Sequence, residues 1–254
     1  MPDRRALVRP PSPRLAEGIV THIDRSPVDV DVAIQQWHSY VRALNDNGWV
    51  TVKVPEADHC PDGVFIEDAV VMFRGVAIVT RPGSELRRPE TETAEAVVRD
   101  LGIPVRHITE PGTLDGGDVL KVGDVVYVGR GGRTNAEGIR QFAAIVEPMG
   151  ARVVEVPLTK VLHLKSAVTA LPDGTIIGWA PGVDDVSVFP NFTPMPEESG
   201  AHVVILDERT LLMAADAPKS AEYLRSLGYR TVEVDIGEYI KLEGCVTCLS
   251  VRVR

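Results

Sequence analysis

One unit, a hairpin followed by a helix and a further strand, recurs about five times along the chain and limits the folds open to it. Four places read as a glycine followed by an alternating strand: NGWVTVKVP from Asn47, LGIPVRHIT from Leu101, MGARVVEVP from Met149 and LGYRTVEVD from Leu227. Each follows a segment with apolar residues at helical spacing: DVAIQQWHSYVRALNDN, ETETAEAVVRD, AEGIRQFAAIVEP and PKSAEYLRS. The glycine then sits where a helix C-cap wants it. Upstream of three of these helices lies a strand, turn, strand pattern, in VVMFRGVAIVT, VLKVGDVVYVG and VVILDERTLLMA. A further hairpin, AVTALPDGTIIGWA, turns at Pro-Asp-Gly, but the stretch after it is too rich in Pro and acids to read as a helix.

The first unit lacks a hairpin partner. ALVRPP near the N-terminus and CLSVRVR at the C-terminus are the two unpaired strand-like pieces, and pairing them closes the array into a ring without a free edge. No Gly/Ser linker or shift in composition divides the 254 residues, so residues 1–254 are expected to form one α/β domain.

The chain is 44% hydrophobic and 25% charged, the composition of an ordinary soluble globular protein, which argues against a disordered chain. No apolar run approaches the roughly 18 residues of a membrane span, and MPDRRALVRPPSPRL lacks the apolar stretch of a signal peptide. A net charge of −9 argues against a nucleic-acid partner. Three cysteines make no disulfide framework, so a reducing, cytoplasmic setting is expected.

Counting forward from each repeat glycine locates the reactive residues. Asp62 lies 14 residues after Gly48, Asp115 lies 13 after Gly102, and His163 lies 13 after Gly150. Glu243 and Cys248 lie 15 and 20 after Gly228, and Glu67 lies 19 after Gly48. In a ring, equivalent positions converge near the axis at one end. A thiol, an imidazole and several carboxylates gathered there suit cysteine-nucleophile chemistry on a cationic electrophile. Clustered carboxylates repel unless a cation sits among them, and a planar guanidinium fits such a fork.

The C-V-T-C run also matches the spacing of zinc knuckles and redox pairs. A redox pair sits at a helix N-terminus, whereas LSVRVR reads as a period-2 strand, and the six histidines offer no second ligand pair. The nucleophile reading is preferred, although alternation alone does not choose between Cys245 and Cys248. Taken singly, His163 reads as a core histidine and Asp115 as a turn residue beside Gly116. Glu67 and Asp68, inside an apolar stretch, each imply a partner. GRGGRTNAEG lacks the residue order of a phosphate-binding loop.

PDGVFIEDAV, TRPGSELRRPETE, TLDGGDVL, RTNAEG, LHLKS and EGCVTCLSV together resemble, in order and spacing, the dimethylarginine dimethylaminohydrolase (dimethylargininase) family of the guanidino-modifying superfamily. The resemblance spans nearly the whole chain and implies a five-bladed, pseudo-symmetric α/β propeller closed by the N- and C-terminal strands. It implies hydrolysis of asymmetric dimethylarginine or monomethylarginine to citrulline and a methylamine through a covalent thiouronium, with no metal or organic cofactor. By matching position, it makes Cys248 the nucleophile, His163 the general acid and then base, and Asp115 its orienting carboxylate. Asp62, Glu67 and Asp68 fall where the family grips the guanidinium and its surroundings. Arg87 and Arg133 match arginines that bind the substrate's α-carboxylate, and Ile19, Leu242 and Glu243 match backbone contacts.

Two positions depart from common family choices, Glu243 for Asp and Asp115 for the Glu of some bacterial relatives. Residues 179–200 match poorly. The alternatives are an arginine or agmatine deiminase, for which the chain looks short, and a non-catalytic binder of cationic amino acids. The oligomeric state is left open, a homodimer included.

Overall fold

The computed structural model describes residues 4–253. Among them, fifteen strands form five sheets of three, and each sheet repeats one topology. Its first two strands are antiparallel and its second and third are parallel.

The first blade contains β1 (Arg5–Val8), the helix α1 (Val30–Asp46) and β2 (Val50–Lys53). The second runs β3 (Val70–Phe73), β4 (Val76–Val79), α2 (Glu90–Asp100) and β5 (Val105–His107). The third runs β6 (Val119–Val122), β7 (Val125–Arg130), α3 (Ala136–Val146) and β8 (Arg152–Pro157). The fourth has β9 (Val168–Ala170), β10 (Ile176–Gly178) and β11 (Phe192–Pro194), and the fifth has β12 (Val203–Ile205), β13 (Thr210–Ala214), α4 (Pro218–Ser226) and β14 (Arg230–Val234). A short helix α5 (Gly237–Ile240) follows, and the last strand, β15 (Val251–Val253), pairs antiparallel with β1. That pairing supplies the first blade with the hairpin strand its own sequence lacks.

The helices form where the apolar spacing and caps place them. Asp29 accepts the Val32 N–H at the start of α1, and Asn135 accepts the Gly138 N–H at the start of α3. Ala33, Trp37, Tyr40 and Leu44 fall on the single buried face of α1. A large apolar side chain such as Leu44 contributes about 1.5–3 kcal/mol on burial. The repeat glycines end the helical segments with positive φ, 82° at Gly48 and 91° at Gly150, where any other residue would be strained.

Five apolar clusters lie between successive blades. Leu7 and Val251 pack with Val70 and Val79, Val71 and Ile78 with Val126 and Val128, and Leu120 and Tyr127 with Val168 and Ile176. Leu171 and Ile177 then pack with Val203 and Leu211, and Val204 and Leu212 return to Ala6, Val8 and Tyr40. The fifth cluster joins the last blade to the first, so the ring is a closed five-bladed α/β propeller.

The sequence pattern departs from the structure in the fourth blade. There the connection to the third strand is two single 3₁₀ turns, Ala180–Gly182 and Val186–Val188, in place of an α-helix, which agrees with its Pro and acid content. The strand it leads into, β11, has no repeat glycine before it and so gave no signal. A second departure concerns Cys248. The pattern put it at the start of a strand, whereas residues 245–250 form a turn closed by the Cys248 N–H on the Cys245 carbonyl at 3.1 Å, and extended pairing begins at Val251.

Candidate active site

Four blades begin with one turn of 3₁₀ helix: Ile66–Asp68 before β3, Gly116–Asp118 before β6, Leu164–Ser166 before β9 and Ser199–Ala201 before β12. Asp115 and His163 are the N-cap residues of the second and third turns, with extended backbone at both. The equal counts from Gly102 and Gly150 therefore mark one structural position in neighbouring blades. The Cys248 turn stands at the same place before β15. It is steadied from α1, whose Tyr40 hydroxyl donates to the Val246 carbonyl at 2.9 Å and meets Ser250 Oγ at 2.7 Å.

These turns press together because two glycines let them. A Cβ on Gly116 would lie 1.9 Å from the Glu67 carbonyl oxygen, and one on Gly117 would lie 2.7 Å from His163 Nδ1 and 2.8 Å from Asp68 Oδ1. The Gly-Gly of TLDGGDVL, which reads in the sequence as an ordinary turn, is thus the gap into which the imidazole and a carboxylate fit.

His163 Nε2 is 3.0 Å from Asp115 Oδ2 and 3.9 Å from Asp68 Oδ1. Asp115 also accepts the Gly83 N–H through Oδ1 at 2.8 Å, so both its oxygens are engaged and the ring is held in one orientation. Burial disfavours the imidazolium, but Asp68, the hydrogen bond to Asp115, and Asp118 outweigh it and raise the His163 pKa to about 9. The ring is therefore a proton donor at neutral pH. Burial likewise pushes the Asp68 carboxyl up, yet His163, Arg87 and the Gly117 N–H hold it well below the usual carboxylate range. Asp118, buried beneath and hydrogen-bonded to Thr134, is pushed up to about 6, mainly by burial.

Cys248 and His163 line one small pocket with Ile19, Asp62, Asp68, Arg87, Arg133, Leu242 and Glu243. Asp115 lies directly behind His163. Phe65, Leu162 and Gly244 complete the wall and carried no signal in the sequence, since a wall residue is chosen by shape rather than by chemistry.

One expected contact is corrected. Glu67 does not line this pocket. Its carboxylate is held by Lys165 at 2.6 Å, Arg252 at 3.0 Å and the Thr247 hydroxyl at 2.8 Å, on the wall of another cavity, because neighbouring residues of a one-turn helix point to different sides. Arg87 lines the pocket and is also engaged within the protein: it forks onto Glu90 at 3.0 and 2.8 Å, bonds Asp68 at 2.6 Å, and caps the carbonyls of Asp62 and Phe65. Its guanidinium holds Asp68 in place. Arg133 differs, because its Nη1 is buried with no hydrogen-bond partner among the described residues and stands 3.9 Å from Asp115 Oδ2.

Residues 19–22 are tied to two residues of the pocket wall, and Ile19 itself lines the pocket. The Ile19 N–H is shared by the two Asp62 oxygens at 3.1 Å each, and the Thr21 and His22 N–H groups bond Glu243 at 2.5 and 2.9 Å. Glu243 adopts a φ of 61°, a conformation a non-glycine residue holds only when its surroundings fix it, and the two N–H groups of Thr21 and His22 do so.

Asp68, Asp115 and His163 bring ligand atoms within 4.8 Å of one another, the closest approach to a metal set among the described residues. The imidazole Nε2 is already given to Asp115, and Asp68 to Arg87 and Gly117. Among the described residues, no group of potential metal ligands includes Cys245 or Cys248.

The chain is 65% identical to an N(G),N(G)-dimethylarginine dimethylaminohydrolase of Streptomyces coelicolor over 254 residues, covering all of this chain and 98% of that one. It is 38% identical to the protein of the same name from Pseudomonas aeruginosa, covering 98% of this chain and 99% of the other. The chain belongs to the dimethylarginine dimethylaminohydrolase family. A solved cysteine-to-serine mutant of the Pseudomonas aeruginosa family member, complexed with citrulline, superposes with a TM-score of 0.90 at 36% identity, over 98% of this chain and 99% of that one. A family structure carrying an adduct with S-methyl-L-thiocitrulline gives a TM-score of 0.92 with the same coverage. The N-terminal domain of a cyanobacterial arginine dihydrolase shares the fold at 20% identity, with a TM-score of 0.85. No protein-family model matches the chain. Among the described residues, no helix is long and apolar enough to cross a membrane.

Proposed function

We propose that this protein hydrolyses asymmetric dimethyl-L-arginine, and monomethyl-L-arginine with it, to L-citrulline and dimethylamine or methylamine, with Cys248 as nucleophile. The observation that carries the reading is His163, paired with the buried Asp115 behind it, in one pocket with Cys248, in a chain 65% identical to an N(G),N(G)-dimethylarginine dimethylaminohydrolase.

A guanidinium carbon is deactivated by resonance, so attack needs a thiolate. In the resting pocket the hydrogen bond with Cys245, burial, and the negative charges of Glu67 and Asp68 keep the proton on Cys248. A bound cation reverses that balance and favours the thiolate. The sulfur then adds to the guanidinium carbon. The C–N bond to the departing amine breaks as His163 gives up its proton, leaving a thiouronium on Cys248. Neutral His163 next takes a proton from water, the hydroxide adds, and the C–S bond breaks to release citrulline and the thiol. Asp62 and Asp68 supply the negative wall for the cation, and the unpartnered Nη1 of Arg133 suits the α-carboxylate.

The pocket, about 20 Å³, has room for roughly one water. The pocket must therefore widen to admit substrate, and the Ile19–Asp62 and Glu243–Thr21 contacts at its wall are the ones whose parting would widen it. Three free cysteines suit a reducing, cytoplasmic compartment.

The test is a substrate panel read by citrulline formation. The two methylated arginines are expected to be turned over in preference to L-arginine and agmatine. Preference for L-arginine or agmatine would make the protein a deiminase, and binding without citrulline would make it a binder of cationic amino acids.

A further inference from the structure

We propose that Cys245 and Cys248 form a redox switch, in which a hydroperoxide admitted through a cavity behind the substrate pocket oxidises Cys245, and the resulting disulfide takes the nucleophile out of use. The consequence for activity rests on Cys248 being the nucleophile; the bond itself does not.

The two sulfurs are 3.3 Å apart, about an ångström more than a disulfide needs. The turn that joins them is closed by the Cys248 N–H on the Cys245 carbonyl, which keeps their Cα atoms within roughly 7 Å, compatible with bridging. Neither sulfur needs the backbone to move far.

The thiols face different spaces. Cys248 lines the substrate pocket, whereas Cys245 lines a second cavity of about 580 Å³ together with Leu162, Ser166, His202 and Glu243. Leu162, Glu243 and Gly244 belong to both walls, so the cavities are neighbours separated by this turn. A small oxidant thus reaches the Cys245 side without entering the substrate pocket. The hydrogen bond from Cys248 lowers the Cys245 pKa and outweighs the effect of burial, with His202 lowering it further. The more readily ionised sulfur is the one on the open cavity.

In the first step the Cys245 thiolate attacks a peroxide oxygen. An S–O bond forms, the O–O bond breaks, and hydroxide leaves, giving a sulfenic acid. In the second the Cys248 sulfur displaces the sulfenic oxygen as water, with the thiol proton going to that oxygen. The peroxide is reduced by two electrons and the two thiols are oxidised by two. Cys60, buried elsewhere with its sulfur 4.0 Å from the Leu86 carbonyl, takes no part.

The experiment exposes the whole protein to hydrogen peroxide, blocks remaining thiols with iodoacetamide, and weighs the tryptic peptide of residues 242–252, which contains both cysteines. Near-complete loss of citrulline formation is expected, with an unalkylated peptide two hydrogens lighter, and dithiothreitol should restore activity. In Cys245→Ala, excess peroxide should carry Cys248 to its sulfinic acid, and dithiothreitol should restore nothing. A wild-type peptide oxidised on Cys248 alone, or a Cys245→Ala variant that recovers as fully as wild type, would overturn the proposal. A light peptide with activity intact would also overturn the switch, by removing Cys248 from the role of nucleophile while leaving the bond established.

Discussion

At Cys248 two demands meet on one sulfur, a proton to be kept until the substrate arrives and a thiolate to be supplied once it has. Burial, the Cys245 contact and the nearby acids meet the first; a cationic substrate meets the second. Cys248→Ser should abolish turnover because a hydroxyl in the same place keeps its proton throughout, whereas Cys245→Ser should retain most of it. Steady-state citrulline formation decides, and equal loss in both would remove the distinction. His163 makes the complementary prediction. Its acid form, and with it donation to the leaving amine, is present below a pKa of about 9 and lost as pH rises through it. Asp115→Asn removes one of the contributions that hold the pKa up, so the alkaline limb of the rate profile should move to lower pH. The turnover number should also fall by roughly 10²–10⁴-fold, the usual worth of general acid–base help. A pH–rate profile beside an NMR titration of His163 checks both, and an unchanged histidine pKa would leave Asp115 a turn residue only.

At the scale of the element, the turns that open the blades decide which charges are free to act. Arg87 and Arg133 look alike in the sequence, but Arg87 sits in a 3₁₀ turn beside Glu90 and is tied to Glu90 and Asp68, while Arg133 lies in a loop with Nη1 making no hydrogen bond among the described residues. Arg133→Ala should therefore raise KM about 10–100-fold with little change in melting temperature, since a hydrogen-bonded charge contributes about 1.5–3 kcal/mol. Arg87→Ala should instead lower stability by roughly 3–5 kcal/mol, because it leaves Glu90 and Asp68 buried without their cation. Substrate kinetics set against thermal unfolding separate the two, and a pure KM effect at Arg87 would contradict its structural assignment. The helices were legible because spacing and caps are local: α2 and α4 fall where ETETAEAVVRD and PKSAEYLRS place them. The convergence of Asp62, Asp115, His163 and Cys248 was legible because a repeat turns sequence distance into position around an axis. The side on which Glu67 emerges, the engagement of Arg87 by Glu90 and Asp68 and the tie between Glu243 and residues 21–22 were not. Each depends on a partner from another blade or on the rotation of a single turn, and no spacing encodes that.

At the scale of the whole molecule, the ring is as strong as its closing pair. Three of the described C-terminal residues, Val251–Val253, form the strand that gives β1 its hairpin partner. Val251 is buried in the cluster between the first two blades, and Arg252 reaches inward to Glu67. Without this strand β1 becomes an open edge with unpaired backbone groups, and Glu67 keeps only Lys165 as its charge partner. Losing one buried valine costs about 1.5–3 kcal/mol and each ladder hydrogen bond about 0.5–1.5 kcal/mol, so the sum is several kcal/mol, comparable with the stability of a typical domain. Truncation after Ser250 should thus abolish the cooperative thermal transition and all activity, although every catalytic side chain remains in the chain. Val251→Ala should lower stability by only about 1–3 kcal/mol and leave the turnover number near that of wild type below the new melting temperature. Circular dichroism melts with parallel citrulline assays test the pair; a truncated protein that still melts cooperatively near the wild-type temperature would show that the blades hold together without ring closure.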